Sequence, residues 1–110
     1  MVKNIASALL SAGVLTAQIA QAQQVCKIIP LGKAPMALVA RPGKLDEAMS
    51  LLMAGEVAEA ASCCIACMPD AGTKVIVTDR GWMSHTIRVL DGKFKGCIGD
   101  VVMESVGNCK

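Results

Sequence analysis

Tyrosine is absent from this chain, and Trp82 and Phe94 are its whole aromatic content. So small a set excludes the stacked aromatic platforms that hold single-stranded nucleic acid. It also excludes the aromatic grooves that grip sugars or proline-rich segments. Clustered charge is missing as well. The 11 Lys and Arg residues face 9 Asp and Glu, and no three basic residues run together. A near-neutral chain without a basic stripe lacks the footprint for nucleic acid or for an anionic membrane surface. No glycine-rich loop opens a helix in the manner of a phosphate cradle. Internal repeats and low-complexity tracts are also lacking.

The N-terminus has a definite character. Lys3 supplies a positive start, Ile5 to Ile19 is apolar or small without a charge, and Ala20-Gln21-Ala22 has the small-x-small form of a cleavage site. This pattern predicts a cleaved secretory signal over residues 1–22, with the mature chain starting at Gln23. A spanning helix wants about 20 predominantly apolar residues, and this stretch is shorter and broken by Ser, Gly, Thr and Gln. Cys26 follows Gln23-Gln24-Val25, which lacks the small residue of a lipoprotein acceptor site. The expectation is an exported protein, periplasmic or secreted, with no stable membrane insertion after cleavage. What remains is one small domain of near-zero net charge.

All six cysteines, Cys26, Cys63, Cys64, Cys67, Cys97 and Cys109, lie beyond the signal. An even number in a small exported chain reads as a disulfide framework, which supplements a core of marginal size. Two other readings of the cysteines stand beside it. Cys64-x-x-Cys67 has the spacing of a redox dithiol. It follows a helical region, whose C-terminal dipole disfavours a thiolate, and no βαβ pattern surrounds it. Cys63, Cys64, Cys67, Met68, Met83 and His85 are donors suited to copper or zinc. Zinc usually takes two separated pairs, and Cys97 and Cys109 form no such pair.

Val25 to Leu31 reads as a short strand or an extended arm that stops at Pro30. Residues 32–44 carry Gly32, Pro35, Pro42 and Gly43 and read as mostly irregular, with an apolar run at Met36 to Ala40 too short to classify. Leu45 opens a helix with Asp46 and Glu47 in its first turn, where negative charge is favourable. Leu45, Ala48, Met49, Leu52 and Met53 form its apolar face, and it ends between Gly55 and Ser62. Strands follow at Cys64–Met68, Thr73–Thr78, Thr86–Leu90 and Lys93–Ile98. Turns are expected at Pro69–Gly72, Asp79–Gly81 and Asp91–Gly92. Val101–Met103 reads as a tight turn and Glu104–Val106 as a last short strand.

The order of these strands resembles that of bacterial SH3-like domains. Ala71-Gly72-Thr73-Lys74-Val75-Ile76-Val77 is similar to their Gly-Thr-x-Val-x-Val strand. Val89-Leu90-Asp91-Gly92, followed by Lys95-Gly96-Cys97-Ile98-Gly99, resembles their Val-x-x-Gly…Gly-Trp-Val hairpin. Val101 to Val106 resembles their short turn and closing strand. The resemblance covers residues 64–106. Cys97 stands where the family commonly has Trp, and the tyrosines of a peptide-binding groove are missing. The implied fold is α+β and mainly β, a disulfide-stapled small barrel preceded by one amphipathic helix. Its domains are the signal at 1–22, an arm at 23–44, and helix plus barrel at 45–110. The resemblance also implies bridges, because the first and last strands of such a barrel lie together. It favours Cys63 or Cys64 with Cys109, Cys67 with Cys97, and Cys26 with the remaining cysteine.

No convergent nucleophile, base and orienting group emerges. Ser84 and His85 are sequence neighbours, and on a strand they point to opposite faces. A lone histidine is commonly a surface or hydrogen-bonding residue. Asp79, Asp91 and Asp100 sit in expected turns, where Asp partners the backbone. The functional expectation is a non-catalytic binding or accessory module without a cofactor, contacting a protein partner or a cell-wall ligand. Its expected surface is Trp82, Met83, His85, Arg88 and Phe94, since exposed aromatics with Arg anchor interfaces. Trp82 has two readings, exposed anchor or cap on the core. Soft-metal binding and thiol–disulfide exchange are the alternative functions.

Overall fold

The computed structural model describes residues 24–110, so the expected signal at 1–22 lies outside the described residues. Seven strands form one antiparallel sheet: β1 (Val25–Ile28), β2 (Val39–Ala40), β3 (Ile65–Cys67), β4 (Lys74–Arg80), β5 (Ser84–Val89), β6 (Ile98–Val102) and β7 (Val106–Gly107). Their spatial order is β3-β2-β6-β5-β4-β1-β7, and the sheet is not closed. Two helices, α1 (Leu45–Met53) and α2 (Val57–Cys63), lie between β2 and β3, and a single 3-10 turn, Met103–Ser105, joins β6 to β7. The architecture is α+β and mainly β, as expected. Among the described residues it has two helices where the sequence pointed to one.

The β4–β5–β6 meander follows directly from residue type. Val75 and Val77 on β4, Ile87 and Val89 on β5, and Val101 on β6 alternate inward and are buried. β-Branched side chains at a period of two suit a half-buried strand. Register follows from this pattern: Val75 faces Val89 and Val77 faces Ile87. These five residues, with Cys26, Ile28, Ala37, Val39 and Cys67, make the main core, and Phe94, Cys97 and Val106 pack against it.

Some boundaries differ from expectation. β4 continues through Asp79 and Arg80, and a bulge between Val77 and Asp79 absorbs the irregularity. The turn therefore moves on to Gly81–Met83. The third strand of the meander is Ile98–Val102 rather than Lys93–Ile98. Residues 93–96 are a turn, closed by Gly96 N–H donating to the Val89 carbonyl (2.9 Å). Asp91 belongs to the same corner: its carboxylate accepts from the Lys74 N–H at 3.0 Å. The tight turn and the last strand each sit one to two residues later than expected, at Met103–Ser105 and Val106–Gly107.

Gly55 explains the second helix. It adopts φ +81°, a left-handed conformation open to glycine without a side-chain penalty. Gly55 N–H donates to the Leu52 carbonyl (3.0 Å) and Glu56 N–H to the Leu51 carbonyl (2.9 Å). That crossed pair is the Schellman closure of a helix. The chain then restarts as α2, and Ala48 of α1 packs with Ala40 and Cys64 in a second, smaller core. Met53, expected on the apolar face, is 85% exposed because the helix ends around it.

The cysteines pair as Cys26–Cys109, Cys63–Cys64 and Cys67–Cys97, leaving none free among the described residues. Cys67–Cys97 is the expected bridge. The other two correct the expectation, and the reason is topological. Cys64–Met68 is not the strand beside the closing strand; β1 is, with Ile28 opposite Val106. Cys26 on β1 therefore meets Cys109, just past β7, and Cys63 and Cys64 are left to each other. Several disulfides in so small a chain indicate an oxidising, exported environment. Among the described residues no helix is long and apolar enough to cross a membrane.

Candidate functional site

The β4–β5 turn carries the most conspicuous surface feature. Gly81 N–H donates to the Ser84 carbonyl at 2.8 Å, and a Cβ on Gly81 would meet that same oxygen at 2.6 Å. Only glycine permits the close approach. The tight turn lifts Trp82 and Met83 outward, to 92% and 72% exposure. Trp82 is thus an exposed residue and not a cap on the core. A Trp side chain has about 150–250 Å² to bury, so leaving it in water forgoes several kcal/mol of transfer free energy at about 25 cal/mol/Å².

Met83 is fixed from the other side. Its carbonyl accepts from the Met103 N–H at 3.2 Å, which ties the β4–β5 turn to the 3-10 turn. The 3-10 turn is anchored in its turn by Ile29 N–H donating to the Ser105 carbonyl (2.8 Å), and Ser105 is buried. α1 completes the surroundings, with Leu45 and Met49 half-buried. Together these elements form an open cleft of about 780 Å³ whose apolar lining includes Leu31, Leu45, Met49, Val102, Trp82, Met83 and Met103. A smaller apolar recess of about 220 Å³ shares Leu31, Leu45, Met49 and Val102 and runs on towards Met36 and Leu52. Methionine suits such a lining, since its flexible thioether repacks around irregular partners.

The cleft has one sign of charge. Asp46, Asp100 and Glu104 line it, and among the described residues no Lys or Arg does. Asp100 is positioned by two donors, the Gly43 N–H at 2.9 Å and the Thr86 hydroxyl at 2.7 Å. Those bonds join β6, β5 and the approach to α1. Asp46 and Glu104 are exposed. Carboxylates over low-dielectric walls focus a negative potential into the space between them.

The expected surface divides between the two ends of the β4–β5 hairpin. Trp82 and Met83 border the cleft. His85 lies within β5, half-buried, opposite Arg80 and Val101, with its Nδ1 buried and unpartnered. Arg88 is exposed further along β5. Phe94 lies beyond the far end of the strand, about 17 Å away by strand rise. It packs against the main core, with Lys93 Nζ 5.3 Å from its ring centre. Ser84 and His85 are consecutive on β5, so their side chains alternate across the sheet.

The soft donors separate in the same manner. Cys67 is bound to Cys97, so Cys64-x-x-Cys67 is divided between two bridges. Met83 sits in the cleft rim and Met68 follows β3. The side chains that do converge are Cys63, Cys64 and Glu47, each with a ligand atom within 4.8 Å of the others. Glu47 carries no signal in the sequence, because it stands 16 residues before Cys63 and meets it only when α1 folds against α2. The acidic lining of the cleft is equally silent, since Asp46 is remote in sequence from Asp100 and Glu104. Compared with family models, curated proteins and solved structures, the chain matches none.

Proposed function

We propose that this chain is an exported, non-catalytic binding module of SH3-like type. In this reading it receives an apolar segment of a protein partner, flanked by basic residues, in the cleft beneath Trp82. The observation that carries the reading is an almost wholly exposed Trp above a methionine- and leucine-lined cleft whose charged residues are all acidic. Apolar area in the occupant answers the walls, and Lys or Arg beside it answers Asp46, Asp100 and Glu104. A sugar ligand fits less well, because a single aromatic ring offers no stacking partner on its other side. Support for the SH3-like reading comes from the strand sequence β7-β1-β4-β5-β6, with a 3-10 turn between the last two strands in the chain. Support for export comes from three disulfides in a chain of this size.

The test is fluorescence titration of Trp82 with two synthetic peptides that share one Leu-Met-Leu centre, flanked in one by lysines and in the other by glutamates. The reading expects saturable binding of the lysine peptide, weakened by added salt, and little response to the glutamate peptide. Isolated cell wall should not compete. Equal binding of both peptides, or binding to cell wall alone, would overturn it.

A further inference from the structure

The three bridges differ in what they hold. Cys26–Cys109 and Cys67–Cys97 span 83 and 30 residues, whereas Cys63–Cys64 joins neighbours. A disulfide stabilises a fold mainly by shortening the loops open to the unfolded chain. Adjacent residues are already held by their peptide bond, so the third bridge restrains no element against another. It can open without releasing a strand or a helix.

Its surroundings suit a cation. Cys63 ends α2 and is half-buried, hence within reach of a small reagent, while Cys64 is wholly buried against Ala40 and Ala48. Glu47, from the first turn of α1, places Oε2 3.7 Å from Cys63 Sγ. Lys44 Nζ lies 3.4 Å from the other oxygen of Glu47. Opened thiols here would face the carbonyl end of a helix and a carboxylate. That negative field disfavours free thiolates, and so opposes a nucleophilic redox dithiol. The same field favours a bound divalent cation, and two sulfurs with one carboxylate oxygen form a zinc-type donor set.

We propose that the Cys63–Cys64 disulfide is a reducible gate on a zinc-class cation site whose ligands are Cys63 Sγ, Cys64 Sγ and a carboxylate oxygen of Glu47. The reductant is a dithiol. Its thiolate attacks Cys63 Sγ, the Cys63–Cys64 bond breaks, and the Cys64 sulfur leaves and takes a proton. The second thiol of the reductant then displaces Cys63, which is protonated in turn. Two electrons and two protons pass to the protein, and the reductant leaves as a disulfide. The divalent cation next replaces the two thiol protons, forming two metal–sulfur bonds and releasing two protons. A disulfide-class oxidant reverses the first step and expels the cation.

The test uses the full chain under graded dithiothreitol, which is removed by anaerobic desalting before metal is added. Alkylation and peptide mass should show Cys63 and Cys64 freed before the other four cysteines. The reduced protein should then bind one equivalent of Zn(II), and Cd(II) should produce the sulfur-to-cadmium ultraviolet band. The oxidised protein should do neither. Glu47→Gln should weaken Zn(II) binding about tenfold with the reduction order unchanged. Cys63→Ser with Cys64→Ser should abolish binding while circular dichroism stays native. The proposal is overturned if either long-range bridge opens first, or if reduced protein binds Zn(II) no better than the double serine variant. It is overturned equally if Glu47→Gln leaves the affinity unaltered.

Discussion

Cys26 on the first strand is bonded to Cys109, two residues beyond the last, and Lys110 N–H donates to the Val25 carbonyl at 3.0 Å. The two ends of the described chain are thereby held side by side at the β1–β7 edge. This edge is short: Lys27 faces Gly107 and Ile28 faces Val106. Two residue pairs are a weak ladder, and the covalent link supplies what the hydrogen bonds do not.

Loss of that link should therefore be costly. Cys26→Ala with Cys109→Ala is expected to lower stability by about 4–5 kcal/mol, by the chain-entropy relation for a loop of this length. Cys67→Ala with Cys97→Ala should cost about 3–4 kcal/mol on the same basis. The double serine variant at Cys63 and Cys64 should change stability far less than either. Urea denaturation of the three variants checks the order.

Trp82→Ala should leave the urea midpoint nearly unchanged, within about 0.5 kcal/mol, because an exposed side chain contributes little to folding. The same variant should weaken binding of the lysine-flanked peptide at least about tenfold, the loss typical of an interface anchor. Ile87→Ala, in the buried core, should do the reverse in kind and cost about 2–5 kcal/mol of stability. Paired urea denaturation and calorimetric titration of the peptide on both variants separate the two roles, since Trp82→Ala leaves no tryptophan to report binding.

Asp100→Ala removes the acceptor for both the Gly43 N–H and the Thr86 hydroxyl. Hydrogen bonds to a charged group contribute about 1.5–3 kcal/mol each, less when water can replace them. A destabilisation of about 2–4 kcal/mol is expected, with faster hydrogen exchange at Gly43. Asp46→Asn, on the exposed rim, should cost only the first-turn charge, about 0.3–1 kcal/mol, and reduce the salt dependence of peptide binding.

Gly81→Ala should strain the turn that presents Trp82, since the new methyl would press on the Ser84 carbonyl. Gly55→Ala should cost about 1–2 kcal/mol through its left-handed backbone, without touching the cleft. Peptide affinity should therefore fall in the first variant and hold in the second. Titration after matching the two for folded fraction checks the difference.

Several elements were legible from residue type alone. The β-branched run from Thr73 to Thr78 and the alternation around Ile87 and Val89 announce strands. Asp46 and Glu47 announce a helix start. Each signal is local: it depends on side chains within a few positions of one another. The helix break at Gly55 was half-legible, because glycine marks a weak point without saying whether the chain restarts. The partner of Val25–Ile28 was not legible, since an isolated four-residue strand carries no address for its neighbour. Two of the three bridges were misassigned for this one reason.

By itself the sequence determined the mainly β character, the disulfide framework, the scarcity of aromatics and the single prominent indole. These rest on composition and short-range periodicity, which survive whatever the long-range arrangement is. Tertiary structure alone decided that β1 lies between β4 and β7, and with it the pairing of Cys26. It also decided that Trp82 stands over an acidic cleft, and that Glu47 faces Cys63. Each of these depends on loop closure between distant segments, where many pairings are compatible with the same local pattern and only the packed core selects one.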